Sequence, residues 1–226
     1  MRAVVFDMFE TLVSLFTCEV YKGTEIAADL GIPEKDFRSI WNPSEETRAK
    51  GEETVEEIIS KAMRRFSHYD EELLQTVTRH RTDALINVFV TYRPDITDML
   101  RALKERGIKV ALITNCYYEE RDVIVQSELF KYFDVALMSC EVGLIKPDRR
   151  IFEMCLQKLE LDPDECLYVG DGGSCELEAA AAIGMKPCQA TWYLKDGVDQ
   201  PVGRLPEYPE AAEPMDILRF IDTTRT

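Results

Sequence analysis

The sequence predicts an α/β protein, a parallel sheet core interrupted by an all-helical insertion. Three observations carry that prediction. Five short apolar runs, Ala3–Phe6, Lys109–Thr114, Val135–Ser139, Cys166–Val169 and Pro187–Thr191, have the length and composition of buried strands. The later four alternate with amphipathic helical patterns, as a parallel sheet covered on both faces requires. Residues 17–90 break the alternation and read as mostly helical. The division that follows is a core of residues 1–16 and 91–226 with a helical domain over 17–90.

The elements can be justified in chain order. Ala3–Phe6 is wholly apolar and ends at Asp7. In the insertion, Val55, Ile58, Ile59, Ala62, Met63 and Phe66 form one apolar stripe behind Glu52-Glu53, acids that favour a helix start. Leu73, Val77, Ala84 and Val88 continue the helical pattern, while Gly31-Ile32-Pro33 and Asn42-Pro43 break it. Ile96, Met99, Leu100 and Leu103 precede Gly107, which reads as a helix terminator. Ile151, Phe152, Cys155, Leu156 and Leu159 mark a helix after Pro147. Leu177, Ala180, Ala181 and Gly184 mark another with a small-residue face. Pro201, Pro206, Pro209 and Pro214 predict an irregular loop before a last short helix at Met215–Ile221.

Composition narrows the function. A chain of 226 residues can bury a full core, and a net charge of −15 argues against a general nucleic-acid binder. No run approaches the roughly 20 apolar residues of a membrane span. Met1-Arg2 leads into a strand, not a secretory signal. The seven cysteines never form a C-x-x-C pair, and with two histidines they do not suggest structural zinc. They read as small core residues in a reducing compartment, so the cytoplasm is the expected location. Oligomeric state is not readable.

Four polar clusters follow strand-like runs or precede helix-like ones, where ligands bind in parallel sheets. Asp7 is a candidate nucleophile at the end of the first strand. Thr114 closes the second strand and, with Asn115, offers hydrogen bonds to a phosphoryl group. Lys146, in Lys146-Pro147-Asp148, supplies an ammonium that offsets repulsion between a carboxylate nucleophile and an anionic phosphate, and Pro147 suits a first helical turn. Asp171, in Gly170-Asp171-Gly172-Gly173, stands five positions before Glu176, so both acids can face one hard cation.

Together these clusters resemble the four motifs of the haloacid dehalogenase superfamily, in order and over nearly the whole chain. The resemblance implies a Rossmann-like core with a helical cap at residues 17–90, and phosphate-ester hydrolysis through an aspartyl-phosphate on Asp7. It implies Mg²⁺ held by Asp7, the main-chain carbonyl of Phe9 and Asp171, with Glu176 behind the ion or reaching it through water. The partner implied is a small phosphorylated metabolite, with neither nucleic acid nor membrane. Substrate contacts fall to Thr114, Asn115 and Lys146; Arg38, Trp41 and Arg48 of the insertion can reach a cleft or equally sit in helices.

The sequence departs from the family at Phe9, where most of its phosphatases carry a second aspartate as general acid and base. General acid–base catalysis contributes about 10²–10⁴-fold, so the loss should show with poor leaving groups. Glu10, the nearest acid, stands where glycine is more usual. An aromatic at position 9 is similar to L-2-haloacid dehalogenases, whose halide leaving group needs no proton and which use no metal. Asp171 favours the phosphatase alternative, since two adjacent carboxylates without a cation would repel. A third alternative is a weakly catalytic protein that binds a phosphorylated ligand.

Overall fold

The computed structural model describes residues 1–19, 21–195 and 202–222. Among the described residues the sheet has six strands, all parallel, in the order β3-β2-β1-β4-β5-β6. They are β1 (Ala3–Phe6), β2 (Lys109–Thr114), β3 (Val135–Met138), β4 (Cys166–Gly170), β5 (Lys186–Ala190) and β6 (Glu210–Ala211). The first strand in sequence is thus central, with Phe6 level with Leu112 of β2 and Val169 of β4. That register brings the residues after β1, β2 and β4 to one end of the sheet.

Alternation along β1 divides the core. Val4 and Phe6 pack with Val110, Leu112 and α6 (Pro94–Glu105) on one face. Ala3 and Val5 pack with Ala111, Ile113 and α9 (Arg149–Leu159) on the other. On the first face α7 (Tyr118–Gln126) contributes Val123 and Ile124, and α11 (Ile217–Asp222) contributes Ile217; on the second, α10 (Glu176–Ala182) contributes Leu177 and Ala180. A single turn, α8 (Ser139–Val142), follows β3.

Among the described residues, the helices between β1 and α6 are α1 (Gly23–Asp29), α2 (Glu34–Trp41), α3 (Glu45–Ala49), α4 (Val55–Phe66) and α5 (Glu71–Val90). The stripe of α4 joins Ile26, Phe37, Leu74 and Val77 in an apolar cluster separate from the two beside the sheet. Thr54 caps α4 by accepting from the Glu57 amide at 3.1 Å while Glu57 answers the Thr54 amide at 2.8 Å, a reciprocal pair that fixes where the helix starts.

Several expectations need correction. Ser139 begins α8 instead of ending β3. Gly184 is not on the face of α10: the helix stops at Ala182, and Gly184 turns the chain at φ +97°, while Ala181 faces solvent. Pro147 sits before the cap residue Asp148 of α9, not in its first turn. The proline-rich loop holds β6, two residues whose pairing no periodicity can announce. Pro201 lies outside the described residues, and the last helix begins at Ile217 after a 3₁₀ turn at Pro214–Asp216. Gly107, at φ +71°, ends α6, with the Ile108 amide reaching back to the Leu103 carbonyl at 3.0 Å.

Candidate active site

Asp7 follows β1 and is 5% exposed, its amide still bonded to the Val169 carbonyl at 2.9 Å. The Lys146 ammonium donates to Asp7 Oδ1 and, at 2.5 Å, to Glu176 Oε2. These residues are 139 and 30 positions apart in sequence. Thr11 Oγ1 lies 3.3 Å from Asp7 Oδ2. Carboxylate oxygens of Asp7, Asp171 and Glu176 all lie within 4.8 Å of one another. One lysine therefore stands among three acids.

Each side chain is held by its own surroundings. Asn115 braces the lysine loop, accepting from the Lys146 amide at 2.8 Å and donating to its carbonyl at 3.2 Å. Asn115, expected to contact substrate, is thus engaged in placing Lys146. Thr114 is fully buried, and its hydroxyl makes only a long contact, 3.4 Å, to the Asn115 carbonyl. Asp171 Oδ1 accepts from the Gly173 amide at 2.8 Å, and the Asp171 carbonyl accepts from Gln189 Nε2 at 2.9 Å. Glu176 also accepts from the Tyr168 hydroxyl at 2.8 Å and from the Gly172 amide at 3.3 Å.

The electrostatics follow from burial. Burial pushes Asp171 up to about 6, and the Asp7 charge adds to the rise. Burial also raises Glu176, against the lowering influence of Lys146. For Lys146 burial works the other way, but the charges of Asp7 and Glu176 overcome it and hold the ammonium protonated.

Phe9 is half-buried and meets Phe89 of α5 edge-on, ring centres 6.3 Å apart at 82°. Glu10 adopts φ +59°, the left-handed conformation that explains the usual preference for glycine there. Its carboxylate is occupied locally, by the Ser14 hydroxyl at 2.6 Å and the Leu15 amide at 2.7 Å.

A cleft of about 590 Å³ opens over Lys146 and Phe9, with Asn115 and Ser174 on the core side and Asn42 and Glu45 on the insertion side. A chamber of about 400 Å³ shares Glu45, Tyr117 and Glu120 with it and is lined by Arg38, Trp41, Arg48 and Arg81. Arg38 is half-buried and pairs with Glu34, whereas Arg48 is 1% exposed, its guanidinium between the rings of Trp41 and Tyr117.

Sequence reasoning missed Tyr168, Gln189 and the buried pairs of Arg81 with Glu119 and Glu120. Tyr168 reads as a strand residue like its apolar neighbours; only its hydroxyl, which needs a partner when buried, could have signalled it.

The haloacid dehalogenase-like hydrolase family model matches residues 1–184. The chain belongs to the haloacid dehalogenase-like hydrolases. Phosphoglycolate phosphatase of Aquifex aeolicus is 25% identical to this hydrolase over 224 residues, covering 98% of this chain and 97% of that protein. Phosphoserine phosphatase of Thermus thermophilus is 34% identical over 120 residues, 53% of this chain and 44% of that protein. Among the first relatives by similarity the chain spans between 8% and 44% of the relative's own length. The fold is that of a 2-haloacid dehalogenase from Pseudomonas syringae, with a TM-score of 0.70 and 19% identity over 99% of both chains. It is also that of a Bacteroides thetaiotaomicron family enzyme in complex with magnesium and inorganic phosphate, with a TM-score of 0.61 and 15% identity over 89% of this chain and 98% of that one. Among the described residues of the hydrolase, no helix is long and apolar enough to cross a membrane.

Proposed function

We propose that this hydrolase is a Mg²⁺-dependent phosphatase of a small cytoplasmic metabolite, with residues 17–90 acting as the cap over the cleft. The observation that carries the reading is the second acid. Asp171 stands beside Asp7 with Glu176 in the same group, and a single lysine cannot neutralise two buried carboxylates and a half-buried third. A divalent cation fits this donor set, since Mg²⁺ takes oxygen ligands and needs only one or two carboxylates beside waters and phosphate. Asp7, the Phe9 carbonyl and Asp171 would hold it. When bound, it neutralises charge on the phosphoryl oxygens.

The chain's own residues supply the rest. Asp7 attacks phosphorus, forming an acyl-phosphate bond as the ester P–O bond breaks and the leaving oxygen departs. Lys146 lowers the repulsion between Asp7 and the incoming phosphate. Thr114 closes the strand beside the phosphoryl site, and Asn115 fixes the Lys146 loop. Water then cleaves the acyl phosphate and restores Asp7. Phe9 cannot protonate the leaving oxygen and Glu10 is tied to Ser14 and Leu15, so aryl and acyl phosphates turn over faster than alkyl phosphates.

One observation favours a second reading. Phe9 gives the cleft an apolar wall against Phe89, which suits a halide leaving group and a dehalogenase on the same Asp7. Hydrolysis of p-nitrophenyl phosphate with Mg²⁺, with EDTA and in Asp7→Asn, run beside chloride release from L-2-chloropropionate, separates the two. Phosphate release that needs both Mg²⁺ and Asp7 is expected. Chloride release indifferent to EDTA, without phosphate release, overturns it.

A further inference from the structure

We propose that Tyr168 is a positioning residue, whose buried hydroxyl keeps the Glu176 carboxylate turned to Lys146 and away from a cation held by Asp7 and Asp171. The inference rests on the phosphatase reading, in which those two aspartates bind Mg²⁺. Glu176 has donors on three sides. Its Oε2 takes the Tyr168 hydroxyl at 2.8 Å and the Lys146 ammonium at 2.5 Å, while Oε1 faces the Gly172 amide at 3.3 Å. Among the described residues, Asp171 has one such donor, the Gly173 amide. Coordination by an acid whose lone pairs are already engaged means breaking those bonds first. Glu176 is therefore close enough to bind the ion, yet committed elsewhere.

The surroundings are shaped for this commitment. Tyr168 is fully buried in β4, its ring tilted against Phe152 with centres 5.4 Å apart, so the phenol has one orientation. A phenylalanine would fill the same space but leave Glu176 one donor short. On the opposite side, Oε1 occupies the place of a missing side chain: a Cβ on Gly170 would fall 1.9 Å from it. The hydroxyl pulls the carboxylate in and the glycine makes room for it. The same carboxylate anchors the Lys146 ammonium beside Asp7, so freeing it also loosens the lysine.

The test titrates Mn²⁺, as a paramagnetic stand-in for Mg²⁺, into the protein by electron paramagnetic resonance, and measures phenyl phosphate turnover on the same samples. Tyr168→Phe should tighten Mn²⁺ binding about three- to tenfold, the size of one hydrogen bond, because Glu176 is released to the ion. Its kcat should fall about ten- to a hundredfold as Lys146 loses its anchor. In a Glu176→Gln background the same substitution should move Mn²⁺ affinity by less than about twofold. A structural defect alone would weaken Mn²⁺ binding together with turnover. Gly170→Ala displaces the same carboxylate from the other side and should act with the same sign, so it carries the test if thermal melts show Tyr168→Phe unfolded. Weaker or unchanged Mn²⁺ binding in the folded variants overturns the inference alone, provided Asp171→Asn abolishes wild-type binding. Wild-type protein that binds no Mn²⁺ overturns the phosphatase reading as well.

Discussion

Two buried ion clusters border the same cleft, and they are balanced differently. At the end of the sheet, Lys146 stands among Asp7, Asp171 and Glu176. Between insertion and core, Arg81 of α5 donates to Glu119 at 2.8 Å and Glu120 at 3.2 Å on α7, and to the Tyr21 carbonyl at 3.2 Å. Arg48 adds a second guanidinium nearby, stacked over Trp41 and Tyr117 at 3.8 and 4.5 Å. There two cations answer two carboxylates. The matched cluster balances its charges within the chain and fastens one part of it to another, although Arg48 Nη1 finds no hydrogen-bond partner among the described residues. The unmatched one gathers three acids around one ammonium under an open cleft, the donor set that the phosphatase reading assigns to a cation.

The contrast can be broken most severely at Lys146. Lys146→Met should cost about 3–5 kcal/mol of stability in urea with EDTA, because it leaves opposed buried carboxylates. Mg²⁺ should restore part of that loss; an identical loss with and without Mg²⁺ would erase the distinction between the clusters. Arg81→Met should cost about 3 kcal/mol with no recovery on adding Mg²⁺, since its cluster has no place for an ion. Recovery there would mean that both clusters bind cations.

The matched cluster also has a pH signature. Burial pushes Glu120 up to about 7 from an ordinary 4.5, so between those values the folded chain holds a proton that the unfolded chain has released. The stability due to that proton is full below about pH 4.5 and lost as the pH rises to about 7, up to about 3 kcal/mol in all. Urea midpoints from pH 4.5 to 7.5 should show the decline, and Glu120→Gln should make it shallower, leaving the share that the raised Asp171 and Glu176 contribute. Smallest is the effect of Mg²⁺ on the wild type. At a hundred times its Kd it should add about 2.7 kcal/mol, an increment that calorimetry should find missing in Asp171→Asn.

The unmatched cluster was the more legible of the two in sequence. Asp7, Lys146 and Asp171 each sit at a strand end or ahead of a helix, where a local pattern marks the position. Arg81 and Glu119 are 38 residues apart on two amphipathic helices, and nothing local tells an arginine facing a partner from one facing water. The strand runs were readable because they are apolar throughout, whereas β6 was not, since two residues carry no period. Gly184 misled for a related reason: a small residue at helical spacing looks the same whether it continues the helix or ends it, and φ decides. Asn115 was placed at the site, but its amide groups are spent on the Lys146 backbone, a use set by the approach of a distant loop.

The central place of β1 has a consequence for synthesis. On the ribosome this strand emerges about a hundred residues before β2 and earlier still than β4, yet the finished sheet needs both as neighbours. A nascent chain that has not yet delivered Cys166–Gly170 holds a strand with one bare edge and an aspartate lacking Asp171 and Glu176. Such edges invite wrong pairing with other chains. Helices α1, α2, α4 and α5 are translated in that interval and share an apolar cluster of their own. Translation thus completes the surroundings of Asp7 late, after most of the chain has been made.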